Sequence, residues 1–132
     1  MSTTVTRTNP TTLPAPLGAY SHVARAGDVV TIAGQVGMTA DGDVPEDLAE
    51  QVRLTFENLR VALESEGLGL GSVMKFTTYL VSADDIPRFY AAREALFPTL
   101  YPEGDYPANT LLVIQRLVRP DLRVEIEAIA HA

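Results

Sequence analysis

The alternation in its last quarter constrains the fold of this chain most. Residues 124–130 read Val-Glu-Ile-Glu-Ala-Ile-Ala, and Tyr106-Pro-Ala-Asn-Thr-Leu-Leu-Val-Ile precedes them across a short Arg/Pro/Asp connection. A pleated strand sends successive side chains to opposite faces. The segment therefore predicts a strand that buries Val124, Ile126 and Ala128 and turns Arg123, Glu125 and Glu127 the other way. Two carboxylates on one strand face are costly if that face is dry and unpaired. The face is either wet or it borders a site that uses a carboxylate.

Other periodicities extend this to the order ββαβαββ. Residues 20–25 and 29–34 flank Ala26-Gly27-Asp28, a hairpin signal, and Gly34-Gln35-Val36-Gly37 breaks the second strand. Leu48, Val52, Phe56, Leu59 and Leu63 form an amphipathic helical stripe that Gly67 and Gly69 end. Arg53/Glu57 and Arg60/Glu64 read as pairs on its solvated face. Residues 73–81 form the next strand, with Met74, Phe76, Thr78 and Leu80 on one face and Lys75, Thr77 and Tyr79 on the other. Asp84 or Asp85 caps a second helix with Pro87 in its first turn. Its stripe, Ile86, Phe89/Tyr90 and Leu96/Phe97, is interrupted by Arg93, and Pro98 and Pro102 bracket its end. This order predicts an α+β fold, a mixed sheet with both helices on one face. The Lys75/Thr77/Tyr79 face is too apolar for open water and too polar for a core, which predicts burial against other copies of the chain.

With 132 residues, 46% of them hydrophobic, residues 1–132 are expected to form one domain with a polar lead-in over 1–15. No apolar run reaches the roughly 20 residues of a membrane span, and the first ten residues lack the apolar segment of a signal peptide. A cytoplasmic location is the expectation. The absence of cysteine excludes disulfides, thiolate metal sites and a Cys nucleophile, and the two histidines, His22 and His131, are too far apart to suggest zinc. A net charge of −7 argues against nucleic-acid binding; no metal and no membrane partner is expected.

Beyond these readings, the chain resembles the Rid family of reactive intermediate deaminases, also called YjgF proteins, over nearly its whole length. The resemblance rests on Gly18-Ala-Tyr20-Ser, Ala33-Gly34-Gln35, Glu57-Asn58-Leu59, Val73-Met-Lys75-Phe-Thr-Thr-Tyr-Leu, Pro107-Ala108 and Val124-Glu-Ile-Glu-Ala-Ile-Ala, in that order. It implies a chorismate-mutase-like fold and a homotrimer with three clefts at the subunit interfaces. It also implies cofactor-free hydrolysis of enamines and imines to 2-oxo acids and ammonia. Tyr20 matches the family tyrosine and Glu125 the water-handling glutamate. Asn109 stands where the family pattern has a carboxylate-clamping Arg, Leu111 where a Cys often sits, Ala33 at a hydroxyl position and Tyr90 at about an Asn position. An Arg–carboxylate pair is bidentate and charge-assisted; an amide cannot neutralise an anion.

The expected site thus has Glu125 and Tyr20 as catalytic residues, and Asn109, Ala33, Leu111 and Tyr90 as ligand-binding ones. Each has a plainer reading. Glu125 either handles water or pairs with Arg123 or Arg116, and Glu127 pairs with Lys75. Tyr20 either enters the cleft or is a core aromatic with a wet tip. Asn109 either orients a ligand or satisfies backbone. Tyr90, Tyr101 and Tyr106 line a pocket or only pack, and His22 is an acid/base group or a surface histidine. If Asn109 and Glu125 lie on neighbouring strands, they converge on one pocket; if another cation replaces the missing Arg, Arg25 and Arg93 are the candidates. Two functions follow: a hydrolase for an imine, enamine or related reactive intermediate, not the standard 2-iminopropanoate deaminase, or a non-catalytic trimeric small-ligand-binding or protective protein on the same scaffold.

Overall fold

The computed structural model describes residues 4–132. Its elements are β1 (Val5–Thr8), β2 (Val23–Ala26), β3 (Val29–Val36), α1 (Leu48–Glu64), β4 (Val73–Leu80), α2 (Ile86–Leu100), β5 (Ala108–Val113) and β6 (Val124–His131). The six strands form one mixed sheet in the order β1-β2-β3-β6-β4-β5. Only β4 and β5 run parallel.

Both helices cover one face, and each strand alternation decides what meets them. All five residues of the α1 stripe are buried, together with Val30, Ile32, Phe76, Leu80, Val124, Ile126 and Ala128 from the sheet. Past Glu64 the helix closes through the amide of Leu68, which donates to the Leu63 carbonyl at 3.0 Å, and Gly67 takes φ 72° there. A left-handed residue just beyond a helix is most cheaply glycine.

The structure departs from the sequence reading in three places. First, β1 lies within the stretch expected as a polar lead-in, of which residues 1–3 fall outside the described residues. All four of its residues are exposed and it pairs only with β2, so it has no buried face and shows no apolar alternation. The order is βββαβαββ. Second, β3 continues through Gly34 to Val36 and ends only before Gly37. The register jumps from Ile32↔Ala128 to Gln35↔Ile126, a bulge that holds Ala33 and Gly34. Third, Met74 is exposed rather than beside Phe76, because pairing with β6 slips between Val73 and Lys75. The end of α2 falls between Pro98 and Pro102 as expected: the helix runs through Pro98 to Leu100, with the Tyr101 amide donating to the Phe97 carbonyl at 2.7 Å. Proline deletes one helical hydrogen bond, a tolerable loss with little helix left to follow.

At the N-terminus of α2, Asp85 is the cap residue, but its carboxylate turns to Arg123 (2.8 Å) instead of capping, and Ser82 Oγ accepts from the Asp84 amide. Gln51 ties the start of α1 to the β5–β6 connection. Its amide donates to the Pro45 and Asp121 carbonyls at 2.9 and 3.0 Å, and its Oε1 accepts from the Arg123 amide at 2.9 Å.

Beside Gln51, α1 approaches the end of β3 so closely that a Cβ on Gly37 would lie 2.5 Å from the Gln51 Cα. The obstacle is backbone and cannot rotate away. Gly37→Ala is expected to lower stability by about 1–3 kcal/mol, the usual cost of overpacking, read as a lower urea midpoint with unchanged slope.

Candidate functional site

The two faces of the sheet carry two separate groups of candidate residues. On β6, Glu125 is partnered with Tyr79 and Val36, and it points to the face away from the helices. On β5, Asn109 is partnered with Phe76 and lies on the helix face. β4 stands between β5 and β6. The expectation that Asn109 and Glu125 converge as neighbours within one protomer is therefore corrected: they are two strands apart and on opposite faces.

The first group is Glu125 with Tyr20. The Glu125 side chain is half-buried over the bulge, and a Cβ on Gly34 would fall 2.5 Å from its Cδ. Only glycine leaves that space. Arg123 is committed to Asp85 and the Glu46 carbonyl, while Arg116 bonds the Leu117 and Val118 carbonyls. Among the described residues no hydrogen bond or ion pair reaches the Glu125 carboxylate. Burial, and then the neighbouring Glu127 charge, raise its pKa above the usual carboxylate value. Glu127 accepts a hydrogen bond from Tyr79 rather than pairing with Lys75, and this bond holds the Tyr79 hydroxyl above its ordinary pKa.

Tyr20 is exposed and its hydroxyl accepts from the Leu17 amide at 3.2 Å. With Glu125, Gly34 and Val118 it borders a cavity of about 30 Å³, room for a water or two. His22, edge-on to the Tyr20 ring at 6.0 Å, also lines this cavity and is not a surface residue. It is buried, Nε2 donating to the Pro14 carbonyl at 2.7 Å and Nδ1 accepting from Gln35 at 3.1 Å.

The second group lies between α2 and the β4–β5 edge, in a cavity of about 480 Å³ lined by Thr78, Phe89, Tyr90, Arg93, Tyr106 and Asn109, among others. Thr78 Oγ1 donates to Asn109 Oδ1 at 2.9 Å, so the amide NH2 is the part of Asn109 left to donate. The Tyr106 ring lies 5.6 Å from that of Phe97. Tyr101 does not line this cavity: it is buried, its hydroxyl donates to the Leu70 carbonyl at 2.9 Å, and burial pushes its pKa up.

Of the remaining expected residues, Ala33 sits in the bulge beside Gly34, with its carbonyl accepting from Gln35, and Leu111 packs against the core. Neither lines either cavity. Arg25 is spent on Glu66 and the Gly27 carbonyl. Arg93 belongs to the cavity, and Thr78 joins it through Asn109. The sequence signal for Arg93 was its position on an otherwise apolar helix stripe.

The endoribonuclease L-PSP family model matches residues 10–132. The chain is 31% identical over 131 residues, 98% of each chain, to the 2-iminobutanoate/2-iminopropanoate deaminase of Escherichia coli (strain K12). It superposes on the crystal structure of the E. coli YjgF gene product with a TM-score of 0.85 at 30% identity, covering 93% of this chain and 95% of that one. On E. coli TdcF with bound serine the TM-score is 0.84 at 27% identity, covering 92% and 94%. The α+β, chorismate-mutase-like architecture is common to all of these structures.

A carboxyl whose pKa rises on folding supports the fold fully below its ordinary value of 4.5 and loses that support as pH climbs through the raised one. Above its raised pKa the ionised Glu125 therefore opposes folding. Glu125→Gln is expected to raise the thermal midpoint at pH 7 and to raise it less at pH 4. Equal shifts at both pH values would show that Glu125 is solvated like a free side chain.

Proposed function

We propose that this chain, which belongs to the endoribonuclease L-PSP family (the Rid, or YjgF, proteins), is a hydrolase for an imine or enamine, working without a cofactor in clefts between the subunits of a homotrimer. The observation that carries this reading is Glu125: half-buried, without a protein partner, raised in pKa and beside a water-sized cavity. Such a carboxylate takes a proton from water as the water adds to a C=N carbon. It returns that proton to the nitrogen of the tetrahedral adduct, then takes the adduct's hydroxyl proton and passes it to the same nitrogen as the C–N bond breaks, leaving a carbonyl and ammonia. One water enters and one ammonia leaves for each C=O formed.

The division of candidate residues between two sheet faces supports assembly. If the Glu125 face of one copy meets the Asn109 cavity of the next, two different patches join. Such a heterologous contact closes into a ring when the rotation from copy to copy returns on itself, three copies needing one third of a turn each. The face carrying Glu125 also exposes Val29, Leu112 and Ile129, apolar groups that gain from being covered. Three copies is the number the family resemblance implies. A small-molecule ligand, rather than nucleic acid, fits the net charge of −7, and a cytoplasmic site of action fits a reactive metabolite.

The E. coli relative is named for 2-iminobutanoate and 2-iminopropanoate. Asn109 in place of the clamping Arg points this chain to a different imine. Asn109, Ala33 and Leu111 also favour a second reading, a trimer that binds small ligands without turning them over.

Sedimentation is expected to give three times the 14.3 kDa protomer mass; a stable monomer at micromolar concentration would exclude a site shared between subunits. Oxo-acid formation from freshly generated 2-iminopropanoate is expected to be slow, and faster from imines with larger side chains. Glu125→Gln should lower any hydrolysis by about 10²–10⁴-fold, the span of general acid–base catalysis, with ligand affinity kept. Wild-type protein that accelerates no imine, yet binds ligand, would establish the second reading.

A further inference from the structure

We propose that Arg93 is the anion-binding group of this protein, and that with Asn109 it selects carboxylates carrying an aromatic ring. Resting on the preceding reading, this names the ligand class of the same site and moves its charge recognition from β5 to α2.

Among the described residues no hydrogen-bond or ion-pair acceptor engages the Arg93 guanidinium. Among the described residues the ion pairs engage Arg25, Arg53, Arg60, Arg88, Arg119 and Arg123, and Arg116 is bonded to backbone carbonyls. Arg93 takes part in none of these. Glu94 lines the same cavity, exposed at its rim, and makes no ion pair with Arg93. Instead the Arg93 Cζ lies 4.6 Å from the ring centroid of Tyr90, 5.1 Å from that of Phe89 and 5.8 Å from that of Phe97.

Cation–π contact with the rings holds the planar group in place without supplying an oxygen acceptor to the N–H donors along its edges. Those edges remain available for a carboxylate, which the guanidinium fork matches with two parallel hydrogen bonds. Thr78 occupies the Asn109 carbonyl, so the second polar group of the cavity also offers N–H rather than oxygen. The Arg93 guanidinium and the Asn109 NH2 are two donors on one cavity, with the Glu94 carboxylate exposed at its rim, and together they describe an anion site.

The rest of the cavity describes the ligand body. At about 480 Å³ it is far larger than a three-carbon acid needs, and Phe89, Tyr90, Phe97 and Tyr106 supply ring surface around Arg93. An aromatic ring on the ligand finds stacking partners there; a methyl group leaves most of the space to water. At the family position the clamp would rise from β5; from α2 it sits among the rings.

Calorimetry with 3-phenylpropanoate, 3-phenylpropanamide and propanoate tests the proposal, using the Glu125→Gln protein as well as the wild type. 3-Phenylpropanoate is expected to bind best, and Arg93→Gln to weaken it about 10- to 100-fold, as loss of a charge-assisted hydrogen bond does. Arg93→Lys should not restore it, because an ammonium has neither fork nor stacking face. Sedimentation of each variant separates lost binding from lost assembly. Equal affinity for acid and amide, or unchanged affinity in an Arg93→Gln protein of native mass, overturns the proposal. Arg93-dependent binding by a protein that hydrolyses no imine supports it and overturns the hydrolase reading alone.

Discussion

The hydrogen-bond ladders of β4 set the geometry on which the candidate site depends. β4 pairs antiparallel with β6 on one side and parallel with β5 on the other, so one alternation governs three strands. Phe76, Thr78 and Leu80 bring Asn109 and Leu111 to the helix side. Tyr79 and Thr77 bring Glu125 and Glu127 to the open side. A shift of one residue in either ladder exchanges the faces of a whole strand. The burial of Phe76, Leu80, Val124 and Ile126 forbids that shift, because it would turn core side chains to the open face. The separation of the two groups of polar residues is thus a by-product of core burial.

A second set of contacts couples the two groups. Asp85, only 5% exposed at the start of α2, pairs with Arg123 at the start of β6, and the Arg123 amide bonds Gln51 on α1. The Asp85 carboxylate is buried, so opening this junction would leave a charge away from water without its partner. It fixes where α2 begins, and with it Phe89, Tyr90 and Arg93. It also fixes the residue two before Glu125. The aromatic cavity and the carboxylate are therefore referenced to the same buried ion pair, although they lie on different faces.

Much of this could be read from the chain because burial writes itself as periodicity. The α1 stripe from Leu48 to Leu63 and the alternation of Val124, Ile126 and Ala128 are buried as expected, and the family motifs lie on one continuous domain-sized match. What escaped was structure without an apolar signature. β1 is paired but has no buried face, and the β3 bulge depends on backbone register rather than on side-chain type. Strand order escaped as well: consecutive β5 and β6 looked like neighbours, and only the parallel pairing of β5 with β4 placed Asn109 on the other face. His22 looked like a surface residue because its partners, Pro14 and Gln35, are brought to it by the fold and not by spacing. Arg93 was visible only as an irregularity in an apolar stripe; its meaning came from the rings around it.

In the proposed assembly, proton handling and subunit association are one equilibrium. Within a single protomer Glu125 already has a raised pKa from partial burial and from Glu127. Covering the open face with another copy removes more water from both carboxylates, and desolvation again disfavours the charged form. A group whose pKa rises on association binds its proton more tightly in the assembled state, so by linkage the proton favours assembly. A neighbouring cavity that contains an arginine acts in the opposite sense. Arg93 of an adjoining subunit would draw the carboxylate back toward ionisation until an anionic ligand occupies it. Neutralisation of Arg93 by that ligand then leaves Glu125 readier to hold the proton that nitrogen needs, so ligand charge, rather than a moving part, sets the catalytic carboxyl.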